Sequence, residues 1–109
     1  MYQYTGEIIS TTDGDTIHLT MDLGMRMYYK TSCRLAGINA PELKSTDEAI
    51  RAKAVVAKEY LAALLPAGTK VILDSKSLDK YGRAIVIITL NGLYINVKMI
   101  ESGNAIVYK

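Results

Sequence analysis

The order of extended and helical segments constrains this chain most, because one helical segment lies between two groups of strand-like segments. The first three extended segments are rich in β-branched residues and are separated by turn signals. They cover Tyr2 to Ser10, Thr16 to Met21 and Met25 to Ala36. Pro41 then ends the third segment, because it offers no backbone donor and restricts Ala40 to extended geometry.

The middle of the chain is predicted to be helical, since apolar residues recur there at spacings of three and four. Ser45, followed three residues later by Glu48, fits a capping box and predicts the start of the helix. Pro66 and Gly68 predict its end. The apolar stripe consists of Ile50, Ala54, Ala57, Leu61 and Leu64.

Extended segments return after the helix and predict the fold class. They cover Lys70 to Asp74, Ala84 to Leu90 and Leu93 to Ile95, followed by a short helix from Asn96 to Ser102 and a closing segment from Ala105 to Tyr108. This order predicts an α+β, mainly β fold: a five-stranded OB-type barrel with a helix after the third strand and a short C-terminal helix. An α+β roll of another topology fits the same pattern. We expect residues 1–109 to form a single domain.

Composition excludes several classes of site. Cys33 is the only cysteine and His18 the only histidine, so an intramolecular disulfide, a cysteine-based zinc site and a zinc site with several histidines are excluded. The chain has 13 Lys and Arg residues against 11 Asp and Glu, a formal charge of +2. Nucleic-acid binding would therefore need a local arrangement of charge. Carboxylates, Arg, Lys, Tyr and a metal remain as candidate chemical groups.

Three short motifs carry these groups. Asp13-Gly14-Asp15-Thr16 places two carboxylates at a turn, which fits a hard-cation site and, taken alone, an ordinary tight turn. The segment from Arg34 to Glu42 places an Arg on an apolar strand, where its head must reach water or an anion. The segment from Asp79 to Arg83 offers Lys, Tyr and Arg within five residues, an anion-binding set or a polar hairpin turn.

Together the motifs resemble those of the staphylococcal nuclease family, the thermonuclease-like Ca²⁺-dependent nucleases. The resemblance runs from Asp13 to about Gly103 through four blocks in order. They are Asp-Gly-Asp-Thr, Arg-Leu-x-Gly-Ile-x-x-Pro-Glu, Asp-Lys-Tyr-Gly-Arg and Asn-x-x-Met-Ile-x-x-Gly. It implies a Ca²⁺-dependent endonuclease that hydrolyses phosphodiester bonds of DNA and RNA with little base-sequence specificity.

The resemblance also implies a metal site. Asp15 and the carbonyl oxygen of Ala40 would ligate Ca²⁺. Asp13 and Thr16 would contact the ligands and hold them in position, without binding the ion themselves. Asn39 stands where many relatives carry a second metal-ligating Asp, so its amide oxygen would ligate without contributing charge. We therefore expect the metal to bind more weakly than in the two-Asp version.

The remaining implied roles concern the substrate. Glu42 would orient or deprotonate the attacking water, and Arg34 and Arg83 would clamp the scissile phosphate. Lys80 and Tyr81 would contact a neighbouring phosphate. Tyr108 is the candidate for a tyrosine that lines the nucleotide pocket of relatives.

Some expectations rest on what the sequence does not contain. Better-known relatives continue into a further helix, whereas this sequence stops at Lys109, so we expect the family's last helix to be missing and part of the barrel to be covered by Tyr side chains or by self-association. No signal peptide and no membrane-spanning segment is visible, which predicts a cytoplasmic protein without membrane partners, of housekeeping, phage or mobile-element origin.

The expected partners are single-stranded DNA and RNA, with double-stranded DNA and a homo-oligomer as open alternatives. The alternative function is a catalytically weak or inactive barrel that binds nucleic acid or protein. Asn39 favours that alternative, and the combination of Arg34, Glu42 and Arg83 favours the enzyme.

Overall fold

The protein's structure, a computed structural model, describes residues 2–78 and 82–108. Its two helices are α1 (Glu48–Leu64) and α2 (Ile95–Glu101). The strands are β1 (Tyr2–Asp13), β2 (Thr16–Asp22), β3 (Tyr28–Leu35), β4 (Ile38–Asn39), β5 (Lys70–Leu78), β6 (Ala84–Leu90), β7 (Leu93–Tyr94) and β8 (Ile106–Val107).

Five of these strands close into the predicted barrel. Their order is β3-β2-β1-β5-β6, and the sheet closes where β3 pairs with β6 in parallel. The closing contact is short, from Cys33 opposite Ala84 to Leu35 opposite Val86. Strand β7 extends the sheet beside β6, and β4 pairs with β8 in a separate two-stranded ribbon. The helix after the third long strand and the short C-terminal helix confirm the predicted OB-type order.

The barrel interior is filled by the alternate residues of its strands. In β2 and β3, Ile17, Leu19, Cys33 and Leu35 are buried, whereas Arg34 is not fully covered. Because a strand points successive side chains to opposite faces, Arg34 is held on the outer face by the burial of its two neighbours. Burial raises the pKa of the Cys33 thiol to about 12. Cys33 is therefore a packing residue rather than a reactive thiol.

Helix α1 begins differently from the prediction. Its N-cap is Asp47, whose carboxylate accepts a hydrogen bond from the Ala49 backbone N–H at 2.9 Å. The Ser45 hydroxyl instead accepts from the Asp47 N–H at 3.2 Å and so shapes the preceding turn. The prediction that Ser45 caps the helix was wrong, because Asp47 is an equally strong cap and lies closer to the apolar stripe. Within that stripe, Ala54, Ala57 and Leu61 are fully buried.

The turn between β2 and β3 also differs from the prediction of strand from Met25 onward. The Met27 backbone N–H donates to the Gly24 carbonyl at 2.9 Å, and Met25 and Arg26 between them have φ angles of 53° and 63°. Two successive positive φ values are typical of a tight hairpin turn, which ends β2 and starts β3 at Tyr28. Met25 is 96% exposed, so its side chain does not pack against the barrel.

Asn96 connects the C-terminal helix to the barrel. The residue lies in α2 and is buried. Its side-chain oxygen accepts from the Ile88 N–H at 3.0 Å, and its amide donates to the carbonyls of Ala36 and Val86 at 2.9 and 3.1 Å. One side chain thus satisfies backbone groups of β6 and of the segment that follows β3, close to the barrel closure.

We predict that Asn96→Ala lowers the free energy of unfolding by about 3 kcal/mol, because it removes the side-chain partner of the Ile88 N–H and of the Ala36 carbonyl. The Val86 carbonyl keeps its hydrogen bond from the Ala36 N–H. The matched control is Asn104→Ala, which removes one exposed side-chain hydrogen bond to Ser102 and should cost less than about 1 kcal/mol. Urea unfolding followed by circular dichroism measures both. Equal losses in the two variants would contradict this role for Asn96.

Candidate active site

An open cleft at one end of the barrel contains the predicted metal and catalytic residues. It forms where the β1–β2 turn, the last residues of β3 and the loop after β4 meet, and its volume is about 460 Å³. The predicted residues in its lining are Asp13, Asp15, Thr16, Arg34, Asn39, Ala40, Glu42 and Arg83, and the cleft is completed by Thr12, Pro41, Leu43 and Lys44. Four separate segments of the chain therefore contribute to one surface.

Asp15 is fixed in this cleft by hydrogen bonds from three sides. One carboxylate oxygen, Oδ1, accepts from the Thr16 hydroxyl at 3.1 Å. The other, Oδ2, accepts from the Ala40 backbone N–H at 3.0 Å and lies 2.8 Å from Nη1 of Arg34. Since Asp15 is only 8% exposed, these partners are what stabilise its charge.

The β1–β2 turn and the loop at Ala40 hold this arrangement together. The Asp15 N–H donates to a carboxylate oxygen of Asp13 at 3.1 Å, and its carbonyl accepts from the Leu35 N–H at 2.8 Å. Gly14 lies between them against α1, where an added Cβ would be 2.7 Å from the Ala40 Cβ and 2.9 Å from the Ala57 Cβ. Only glycine allows the turn to approach both the helix and the loop this closely.

Both terminal nitrogens of the Arg34 guanidinium group, Nη1 and Nη2, contact other residues of the site. Besides the ion pair with Asp15, Nη2 donates to the Ile38 carbonyl at 3.1 Å and to Oδ1 of Asn39 at 3.4 Å. The Tyr108 ring lies over the guanidinium, with its centroid 5.6 Å from the Arg34 Cζ, within the range of a cation–π contact. The tyrosine is positioned by β8, which pairs with β4, and by its own N–H on the Gly37 carbonyl at 2.9 Å.

The two aspartates of the turn differ in their pKa. Burial, together with the neighbouring Asp15 carboxylate, raises the pKa of Asp13 to about 6. For Asp15, burial acts in the same direction, but the interactions with Asp13, the Ala40 N–H and Arg34 outweigh it and lower the pKa. Asp15 therefore loses its proton at a lower pH than Asp13, and both carboxylates are mainly charged at neutral pH.

Glu42 and Arg83 complete the charged lining. Glu42 lies in the loop after Pro41 and is exposed, so water reaches its carboxylate. Arg83 precedes β6 and is half-buried, with its side chain on the same cleft as Arg34. Two guanidinium groups and a solvent-accessible carboxylate thus face one space large enough for a phosphate group.

The oxygen atoms of the cleft suit a cation. The Arg34 guanidinium contacts both Oδ2 of Asp15 and Oδ1 of Asn39. It occupies the position of a cation and shows that both oxygens can face one positive group. Within residues 2–78 and 82–108, no three Asp, Glu, His or Cys side chains converge as a metal-binding group. A metal here would therefore depend on Asp15, neutral amide and carbonyl oxygens, and water, an oxygen set that suits Ca²⁺ better than zinc.

Some sequence predictions fall outside this cleft, and some contacts were not predicted. Lys80 and Tyr81 lie outside the described residues. Tyr108 contacts Arg34 but is not part of the cleft lining. The ion pair between Asp15 and Arg34 and the hydrogen bond from Ala40 were missed, because they join residues 19 and 25 positions apart and leave no local pattern.

Comparison with known protein families identifies a match for most of the chain. A family model described as staphylococcal nuclease homologue matches residues 32–109, which is 78 of the 109 positions. The matched segment includes Arg34, Asn39, Ala40, Glu42 and Arg83. No curated protein sequence matches the chain. In the part of the chain that the structure describes, no helix has the length and apolar character needed to cross a membrane.

We predict that Gly14→Ala destabilises the protein by about 2 kcal/mol, because the added Cβ meets two fixed Cβ atoms and forces the turn away from the helix. Gly6→Ala is the control, since its added Cβ would have one atom within 3.0 Å, Cδ1 of Leu73 at 2.9 Å, which is the far end of a side chain and not a Cβ fixed to the backbone. Thermal unfolding compares the two. A Gly14→Ala variant no less stable than Gly6→Ala would contradict the close packing of the turn.

Proposed function

Since the chain belongs to the staphylococcal nuclease homologue family, we propose that it is a Ca²⁺-dependent nuclease that hydrolyses phosphodiester bonds of DNA and RNA with little base-sequence preference. Family membership itself indicates the coarser class, a nuclease-like hydrolase on an OB-type barrel that binds nucleic acid. One observation carries the finer proposal: Arg34, Arg83, Glu42 and Asp15 line the same cleft although they come from four separate segments.

The two arginines supply the electrostatic part of the proposed reaction. Attack of water on a phosphodiester builds negative charge on the oxygens around phosphorus, and catalysis needs positive groups fixed before the reaction. Arg34 is fixed by the Ile38 carbonyl and the Tyr108 ring. A guanidinium group stays charged and presents two parallel N–H donors to phosphate oxygens, which favours Arg over Lys at both positions.

Glu42 is the proposed general base. Its carboxylate is exposed to solvent and shares the cleft with both arginines. In the proposed step the water oxygen bonds to phosphorus, its proton passes to Glu42, and the P–O bond to the leaving oxygen breaks. The only histidine, His18, is absent from the residues that line the cleft, so a carboxylate is the available base there.

Asp15, the side-chain oxygen of Asn39 and the carbonyl of Ala40 are the proposed Ca²⁺ ligands. Bound Ca²⁺ would supply fixed positive charge beside the phosphate and so stabilise the transition state. These residues would hold the ion, and Glu42, on the same cleft, would remain available to the attacking water. All of these groups would bind phosphate or the cation rather than the edges of bases. This supports little preference for base sequence, because only contacts to bases read the sequence directly.

A cleavage assay tests the proposal. With Ca²⁺, we expect the protein to cut labelled single-stranded DNA and RNA, and we expect a calcium chelator to abolish the activity. Glu42→Gln should reduce the rate by about 100-fold or more, because it removes the base without changing the shape of the side chain. Glu59→Gln, on the exposed surface of α1, is the matched control and should keep wild-type activity. Binding of DNA or RNA without cleavage under every divalent metal would overturn the enzyme in favour of a binding barrel.

The position of Asn39 gives a separate prediction. We expect Asn39→Asp to reach half-maximal activity at a Ca²⁺ concentration roughly tenfold lower than wild type, because it adds a charge to the proposed ligand set. Asn91→Asp, in the β6–β7 turn, adds the same charge away from the cleft lining and should leave the Ca²⁺ requirement unchanged. An unchanged or higher Ca²⁺ requirement in Asn39→Asp would remove Asn39 from the ligand set.

A further inference from the structure

The proposed cation ligands are already engaged by a positive side chain of the protein. Arg34 lies 2.8 Å from Oδ2 of Asp15 through Nη1 and 3.4 Å from Oδ1 of Asn39 through Nη2. Both are side-chain oxygens that the proposed function assigns to Ca²⁺. The same two atoms therefore serve a guanidinium in this structure and a cation in the proposed active form.

Asp15 has little freedom to serve both groups at once. Oδ1 is held by the Thr16 hydroxyl and Oδ2 by the Ala40 N–H, so the carboxylate cannot swing toward one partner without losing other hydrogen bonds. The Asp15 and Arg34 side chains are only 12% and 17% exposed. At that burial the two positive groups would repel each other at short range with little screening by solvent.

Arg34, by contrast, has contacts that do not involve Asp15. Its Nη2 donates to the Ile38 carbonyl at 3.1 Å, and the Tyr108 ring lies over its guanidinium. These contacts keep the guanidinium at the cleft when the ion pair with Asp15 opens. Arg34 can therefore lose its ion pair with Asp15 without a rearrangement of β3.

We infer that Arg34 competes with the divalent cation for Asp15 and Asn39, and that it thereby sets the cation affinity of the cleft. The inference rests on the proposed function, because it takes Asp15 as the cation ligand. Because Nη1 of Arg34 occupies Oδ2 of Asp15, a cation that binds there must displace it. The displaced Nη1 can then donate to an incoming anion. The competition is a property of the protein without nucleic acid and is measured there.

The experiment measures Ca²⁺ binding by calorimetry on chelator-treated protein without nucleic acid. We expect Arg34→Gln to lower the Ca²⁺ dissociation constant by about tenfold, because Gln removes the competing charge. Lys44→Gln is the matched control, since Lys44 lines the same cleft and the substitution removes the same charge, but no bond to Asp15 is involved. Its effect should stay below about twofold. Asp15→Asn should abolish the binding.

A second variant keeps the test decisive if Arg34→Gln folds poorly by circular dichroism. Arg34→Lys retains the charge, but one ammonium group cannot contact Asp15 and Asn39 as the planar fork does, so its dissociation constant should fall between those of wild type and Arg34→Gln. Equal dissociation constants for wild type and both Arg34 variants would overturn the inference. So would an equal gain in Lys44→Gln, which would assign the effect to the general charge of the cleft.

The result separates this inference from the proposed function. If Ca²⁺ binds more tightly to Arg34→Gln while the wild-type protein cleaves nothing, the competition stands and the nuclease proposal fails. If the protein cleaves in a Ca²⁺-dependent way while the Arg34 variants bind Ca²⁺ as wild type does, the nuclease stands and the competition is overturned. Binding that persists in Asp15→Asn overturns the inference, because the ion would then lie elsewhere.

Discussion

The parallel pairing of β3 with β6 is the constraint on which the site depends. It is short, only three residues on each strand, yet it closes the barrel and brings the end of β3 beside the start of β6. The middle residue of the β3 side is Arg34, and the residue just before the β6 side is Arg83. The contact that closes the hydrophobic core thus also brings the two arginines to one cleft, so core packing and charge placement have a common origin.

The sequence predicted those features whose causes are local. The position of Arg34 on an apolar strand predicted that its head leaves the barrel interior, and the spacing of Ala54, Ala57 and Leu61 predicted the buried face of α1. The pair Asn91-Gly92 is typical of a tight hairpin turn, and both residues have positive φ in the structure. Each of these depends on neighbours within a few positions, and for that reason a pattern reveals it.

The features that the sequence could not predict depend on which polar groups bind each other when they lie far apart in the chain. Asp15 and Arg34 were each assigned to a partner outside the protein, and nothing in the local pattern indicates that they bind each other first. Asn96 was visible only as part of a family motif, although its side chain satisfies three backbone groups in the barrel. The start of α1 was misplaced by two residues because Ser45 and Asp47 are both good caps, and the choice between them depends on packing.

The turn at Gly24–Met27 has a consequence for how this barrel can be modified. It lies at the far end of β2 and β3 from the cleft, roughly 20 Å along the strand by the rise per residue. Its central residues, Met25 and Arg26, adopt a left-handed backbone that favours glycine or asparagine, and their side chains project into solvent. The hairpin tip is therefore a natural attachment point: a peptide tag, fluorophore or surface linker inserted there would replace strained backbone and leave the charged cleft facing away from the support.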